Sequence, residues 1–122
     1  TVEGPMHSAA AGKNIGQQLA APDLACVFVL SDGLHINGSA LVDGIVSAVG
    51  PKVPVSGGLA GDGADFAETL VGCNGRPQTR TVAAIGFYGT SIQFGHGSAG
   101  GWDVFSDSCA AELVRVRPYA YR

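Results

Sequence analysis

Charge is scarce in this chain. Only 14% of its 122 residues are Asp, Glu, Lys or Arg, against about a quarter in ordinary soluble domains. Basic residues are the fewest, with seven Lys+Arg against ten Asp+Glu and a net charge of −3. Three of the seven, Arg115, Arg117 and Arg122, stand at the end, so the body before them is more acidic still. That excludes the basic face by which proteins hold nucleic acid. Cysteine is sparse and odd in number. Cys26, Cys73 and Cys109 form no C-x-x-C pair and no metal-ligand spacing. Free thiols in an acidic domain suit a reducing compartment, so a cytoplasmic location is expected. The longest apolar run, Leu24 to Leu30, is seven residues, far short of the roughly 20 that span a membrane. The N-terminus has neither a charged n-region nor an apolar h-region, so no signal peptide is expected. The start at Thr1 points to a chain cut from something longer.

Glycine is what the chain has in excess. It holds 19, about twice the usual share of roughly 7%. The densest cluster is Gly57-Gly58-Leu59-Ala60-Gly61-Asp62-Gly63, which follows the apolar run Val53-Pro54-Val55. Such a cluster marks positive-φ turns or a ligand pressed close to the main chain. It is no Walker A loop, because Lys and Ser/Thr do not follow the last glycine, and it lacks the G-x-G spacing of a dinucleotide fingerprint.

The pattern around this cluster reads as α/β: a βαβ unit with mainly parallel strands continuing into an antiparallel β-meander. Ser8 is placed to cap a short helix whose stripe is Ala11, Ile15 and Leu19, with Pro22 as its stop. Leu24 to Leu30 is apolar on both faces and reads as a central strand covered on both sides. Ser31 to His35 is the turn at its end. Asn37 or Ser39 caps a second helix with a buried face of Leu41, Val42, Ile45, Val46 and Val49 and with Asp43 in its first turn. Gly50-Pro51 ends it, and Val53 to Val55 is a second strand. The glycine cluster then lies as a loop at a strand's C-terminal end, where open α/β sheets bind ligands. Further on, Glu68 to Val71, Arg80 to Tyr88 and Ser91 to His96 read as strands, with Asn74-Gly75 and Gly89-Thr90 as tight turns. A second glycine-rich stretch ends at Trp102.

Several segments carry a family resemblance. They are Phe28-Val29-Leu30-Ser31-Asp32-Gly33-Leu34, Asn37-Gly38-Ser39, and Val53 through Gly63. Ala84-Ile85-Gly86-Phe87-Tyr88-Gly89, His96-Gly97-Ser98 and Gly100-Gly101-Trp102 follow in the same order. In this order they resemble the second half of a FIST N domain, over roughly residues 8 to 106. The resemblance implies a partial sensory domain over 1–106, an atypical tail over 107–122, and an absent N-terminal half of the domain. It also implies an intracellular signal-transduction role, small ligands such as amino acids, and a following FIST C domain with signalling output modules as partners. It implies no catalytic activity.

Beside that resemblance, the residues suggest a site of their own. Backbone N–H groups of the glycine cluster suit the carboxylate of an amino acid, and Asp62 or Asp32 suits its ammonium. The ligand-binding residues expected are Ser31, Asp32, Gly57, Gly58, Gly61, Asp62 and Gly63, with Trp102 as an apolar wall. No metal and no cofactor are expected. Asp32 also fits an Asx turn that bonds its own backbone. Asp62, Asp65 and Glu68 do not make an EF-hand loop. His35 and His96 lack a ligand-spaced partner and read as hydrogen-bonding or surface residues. Cys26 reads as a core residue, and Cys73 has no evident base. Two other classes stay open: a protein–protein interaction scaffold without ligand, and a hydrolase or thiol enzyme built on Ser31, Ser56 or Cys73. Neither serine has G-x-S-x-G flanks.

Overall fold

The computed structural model describes residues 4–98 and 112–113. Trp102, Cys109 and the three terminal arginines lie outside them. The elements are α1 (Gly4–Leu19), β1 (Leu24–Asp32), α2 (Gly38–Val49), β2 (Val55–Ala60), β3 (Val82–Tyr88), β4 (Gly97–Ser98) and β5 (Glu112–Leu113). The main sheet has the order β2-β1-β3, and β4 pairs with β5 apart from it. β1 runs parallel to β2, with Val27 opposite Val55 and Asp32 opposite Ala60. It runs antiparallel to β3, with Val29 opposite Ala84 and Ser31 opposite Val82. The fold is α/β with a mixed sheet, and β1–α2–β2 is the βαβ unit read from the sequence.

The helices form where the apolar spacing puts them. Ala11, Ile15 and Leu19 of α1 pack against a core of Leu24, Val27, Val29, Ile36, Leu41 and Ile45. Asn37 caps α2, its side-chain oxygen accepting the Ala40 N–H at 2.9 Å. Gly50, at φ +93°, ends it and donates its N–H to Val46. Ser8 corrects the reading: it lies inside α1, fully buried. Its hydroxyl accepts the Asn37 N–H at 3.0 Å, which ties the first helix to the start of the second. Asp43 lies beyond the first turn of α2 and does not face its dipole.

The helix pair packs more closely than side chains would allow. A Cβ on Gly12 would collide with the Leu41 carbonyl oxygen, and one on Gly44 with the carbonyl oxygen of Ala9. Two glycines facing opposite helices let the backbones meet.

Among the described residues the central strand is covered by helices on one face, not two. Val27 and Val29 face them, and the alternation of a strand sends Phe28 and Leu30 to the other side. The pairing register places Ile85 and Phe87 of β3 on that same side. Leu30, Ile85 and Phe87 are 44%, 57% and 37% exposed there. The chain returns to the sheet from β2 through a long irregular stretch, and the described residues hold no helix that could cover this face.

The antiparallel part is simpler than a run of consecutive strands. Glu68 to Val71 and Ser91 to His96 are not strands. Val71 and Gln78 instead make one isolated bridge, bonded both ways at 3.0 and 2.9 Å, around the turn at Asn74. Tyr88 ends β3 by donating its hydroxyl to the Leu19 carbonyl at 2.8 Å. Gly89, at φ +106°, donates its N–H to Asp23 at 2.8 Å. No helix among the described residues is long and apolar enough to cross a membrane.

Candidate functional site

The C-terminal end of β1 carries the densest polar network among the described residues. Asp32 is its last residue and is fully buried. Its Oδ1 accepts the N–H of Leu34 at 2.7 Å, the N–H of His35 at 3.0 Å and the Thr69 hydroxyl at 2.8 Å. Its Oδ2 accepts the Arg80 N–H at 2.5 Å and lies 3.1 Å from Nδ1 of His35. Thr69 in turn accepts the N–H of Gly33 at 3.0 Å. The backbone N–H of Asp32 bonds the Thr81 carbonyl at 3.0 Å, which joins the strand to the chain entering β3. One carboxylate thus binds three segments that are distant in sequence.

A buried charge is costly unless it is hydrogen-bonded. Burial pushes the Asp32 carboxyl up, but the donors from Arg80, His35, Leu34 and Thr69 outweigh it and hold it well below the usual carboxylate range. Asp32 is therefore ionised at neutral pH. The Nδ1 contact also orients the His35 ring, which is about a third exposed. Arg80 is held at φ +52°, a left-handed conformation uncommon for a residue with a side chain. Its N–H bond to Asp32 fixes that geometry.

Beside this network lies an open concavity of about 490 Å³, lined by His35, Gln78, Thr79, Arg80 and Thr81. Among the described residues its lining is polar and contains no carboxylate. The Thr81 hydroxyl donates to the Thr79 carbonyl at 2.9 Å. Sequence reasoning did not select Gln78 to Thr81. The Asp32 bonds to Arg80 and Thr81 and the pairing of Ser31 with Val82 bring them to the end of β1, and no local motif signals it.

The glycine cluster divides into parts. Gly57 and Gly58 belong to β2, so the loop starts later than the sequence reading placed it. The reason is steric. Gly57 lies opposite Val29, and a Cβ there would collide with the Val29 carbonyl oxygen. That glycine serves the approach of two strands. Gly33 does the same against the Ala60 carbonyl, which brings the end of β2 beside the turn after β1. Gly58, Gly61 and Gly63 have open space where a side chain would be, and Gly63 sits at φ +71°.

Asp62 shapes the following loop. Its Oδ1 accepts the N–H of Phe66 at 3.1 Å, and its Oδ2 those of Ala67 at 2.7 Å and Glu68 at 2.9 Å. The bonds from Glu68 and Ala67 lower its carboxyl below the ordinary value. Phe66 is held at φ +48° inside this loop.

Ser31 is buried, and its hydroxyl donates to the Asp32 carbonyl at 3.1 Å. The Ser56 hydroxyl is buried with no hydrogen-bond partner among the described residues. Neither serine bonds a histidine, so the described residues hold no activated Ser–His pair of the kind a hydrolase uses. Burial raises the Cys26 thiol above its ordinary pKa, as suits a core residue. Among the described residues no cluster of three or more His, Cys, Asp or Glu could hold a metal ion.

No curated protein and no solved structure matches the chain. A sequence model of one family, the FIST N domain, matches residues 1–111. That span takes in both helices, the whole mixed sheet and every residue of the Asp32 network, and the chain belongs to the FIST N domain family, a family of signal-transduction sensory domains.

Proposed function

We propose that this domain binds a small ligand, such as an amino acid, at the C-terminal edge of β1 and passes the change to an attached module. The observation that carries this reading is the concavity of about 490 Å³ beside the Asp32 network. Strand ends of α/β sheets are where ligands generally bind, and convergent polar groups in a concave site give specificity. Ser31 and Asp32 act from beneath, as groups that hold the turn and the Arg80 backbone in place. Gly58, Gly61 and Gly63, at the same edge of the sheet, have room for a ligand against their main chain. Asp62 is half-buried and its carboxyl is held below the ordinary value, so it stays ionised, which suits a contact to an ammonium group. Ligand contacts made only in the ordered state of this edge would shift the population toward it. The domain acts inside the cell, without catalysis, alongside a FIST C domain and output modules in a longer chain.

A second reading is an interaction scaffold, favoured by the uncovered apolar side of the sheet at Leu30, Ile85 and Phe87. Isothermal titration of the chain with a panel of amino acids tests the first reading. Saturable heat that Asp62→Asn weakens supports it, including the ammonium contact. Silence across the panel, together with concentration-dependent self-association or capture of a partner domain, sinks it in favour of the scaffold.

A further inference from the structure

We infer that the outer edge of β2 pairs with the same edge of a second copy of this chain, antiparallel about a two-fold axis at Gly57. This goes beyond the ligand reading and does not use its cleft, which lies beside the chain entering β3, the opposite edge strand. The sheet order β2-β1-β3 leaves β2 with one neighbour, β1. Val27 of β1 donates its N–H to the Pro54 carbonyl at 2.9 Å. With Val27 opposite Val55, the alternation of a parallel ladder turns the N–H and C=O of Ser56 and Gly58 toward β1. Those of Val55, Gly57 and Leu59 point the other way. Among the described residues none of these outward groups has a hydrogen-bond partner.

Proteins guard such an edge with charged side chains, proline, a bulge or a covering segment. β2 carries none of the first three. It reads Val-Ser-Gly-Gly-Leu-Ala and pairs with β1 in unbroken register from Val55 to Ala60. The other edge strand is less open. The pairing of β3 shifts register between Leu24 and Cys26, and the Tyr88 ring packs where a Gly86 side chain would be.

A two-fold axis makes this strand its own complement. It sets Gly57 against Gly57 of the second copy, and Val55 against Leu59. All three outward residues are then paired within β2, whereas an axis at Gly58 would leave Val55 without a partner inside the strand. Val55 and Leu59 lie two steps of alternation apart and share one side of the sheet. Val55 packs against the core there, while Leu59 is 56% exposed. The pairing gives Leu59 an apolar neighbour across the edge and sets no charge against a like charge. Glycine at the axis keeps side chains from holding the two backbones apart.

Sedimentation equilibrium of the whole chain, with amide exchange at the same concentrations, tests the pairing. An interface between two short strands is small, so a dimer dissociation constant on the order of 100 µM is expected. Above it, the N–H groups of Val55, Gly57 and Leu59 should gain roughly tenfold protection, while those of Ser56 and Gly58, already bonded to β1, change little. In a sample of mixed isotope labels, contacts between the α-protons of Ser56 in one copy and Gly58 in the other establish the register. Leu59→Pro removes an outward donor and leaves the β1 ladder intact, so it should weaken dimerisation about tenfold. If it disturbs the fold, Leu59→Lys is read in its place, with the same expectation, because a lysine on an edge strand opposes pairing. A chain that stays monomeric at about 1 mM, tenfold above the expected constant, overturns the inference. A dimer that neither variant weakens also overturns it and assigns self-association to another surface. Protection of Val55, Gly57 and Leu59 that does not depend on concentration overturns it as well, because the edge would then be paired within one chain.

Discussion

The carboxylate of Asp32 accepts the backbone N–H of Arg80 at 2.5 Å, across 48 positions of sequence. Everything between them, including β2, the Asp62 loop and the Val71–Gln78 bridge, is an excursion that this bond closes. The same carboxylate holds the turn after β1 through Leu34 and His35. The cleft proposed to bind ligand is therefore built by a residue that a ligand does not reach.

Replacing Asp32 by Asn should be strongly destabilising. The amide keeps one acceptor and turns the other oxygen into a donor that faces donors. Hydrogen bonds to charged groups are worth roughly 1.5–3 kcal/mol each, and donors left unsatisfied add desolvation cost. A loss of about 3 kcal/mol in guanidinium unfolding is expected. Faster amide exchange should appear at Leu34, His35 and Arg80 before the rest of the sheet. A midpoint equal to wild type would mean that the network contributes little.

The same group predicts an acid dependence. The folded-state pKa of Asp32 is depressed below its unfolded value of about 4. Its contribution is fully present above the unfolded pKa and is lost as pH falls toward the folded one. Stability should therefore decline below about pH 4, and Asp32→Asn should flatten that part of the curve. Denaturant midpoints at intervals from pH 2 to 7, for both proteins, check the sign.

The sequence carried the βαβ unit well because its signals are local. The Ala11–Ile15–Leu19 stripe, the Asn37 cap and the Gly50 stop each lie within a few residues of the feature they specify. Asp32 was visible as a turn carboxylate, and its bonds to Leu34 and His35 are that local pattern. Its bonds to Thr69 and Arg80 were not legible, since nothing near those residues marks them as partners. The glycines divide for a related reason. Gly57 reads as a ligand-loop residue, yet its bareness is required by the backbone of Val29 on the neighbouring strand. Composition records that a Cβ is absent, not what took its place.

Glycine substitutions separate these roles. Gly44→Ala gains about 1 kcal/mol of helix propensity. Its Cβ would meet the Ala9 carbonyl oxygen and would lie 2.8 Å from the Lys13 nitrogen, both backbone atoms that cannot rotate away. Overpacking costs about 1–3 kcal/mol, so net destabilisation and a lower melting temperature are expected. Gly58→Ala meets nothing within 4 Å and should be neutral or stabilise by up to about 1 kcal/mol through the unfolded chain. If Gly58→Ala keeps its stability but loses ligand affinity, the main chain there touches the ligand.

Asp62 offers the local counterpart of Asp32. Its three accepted N–H groups are all exposed backbone within six positions, and they fold the loop onto one carboxylate. Asp62→Ala should therefore speed amide exchange at Phe66, Ala67 and Glu68 by tenfold or more while the global unfolding midpoint barely moves, because water can replace the lost acceptor. Acidification should act in the same direction. The carboxyl is held below its ordinary pKa by the Glu68 and Ala67 bonds, so the loop keeps its protection to lower pH than an ordinary Asp would allow and loses it as pH falls further. Exchange measured at a series of pH values, corrected for intrinsic rates, reads this directly. Protection at Phe66 to Glu68 that survives Asp62→Ala would show that the loop is ordered by its packing instead, and that the carboxylate is not committed to it.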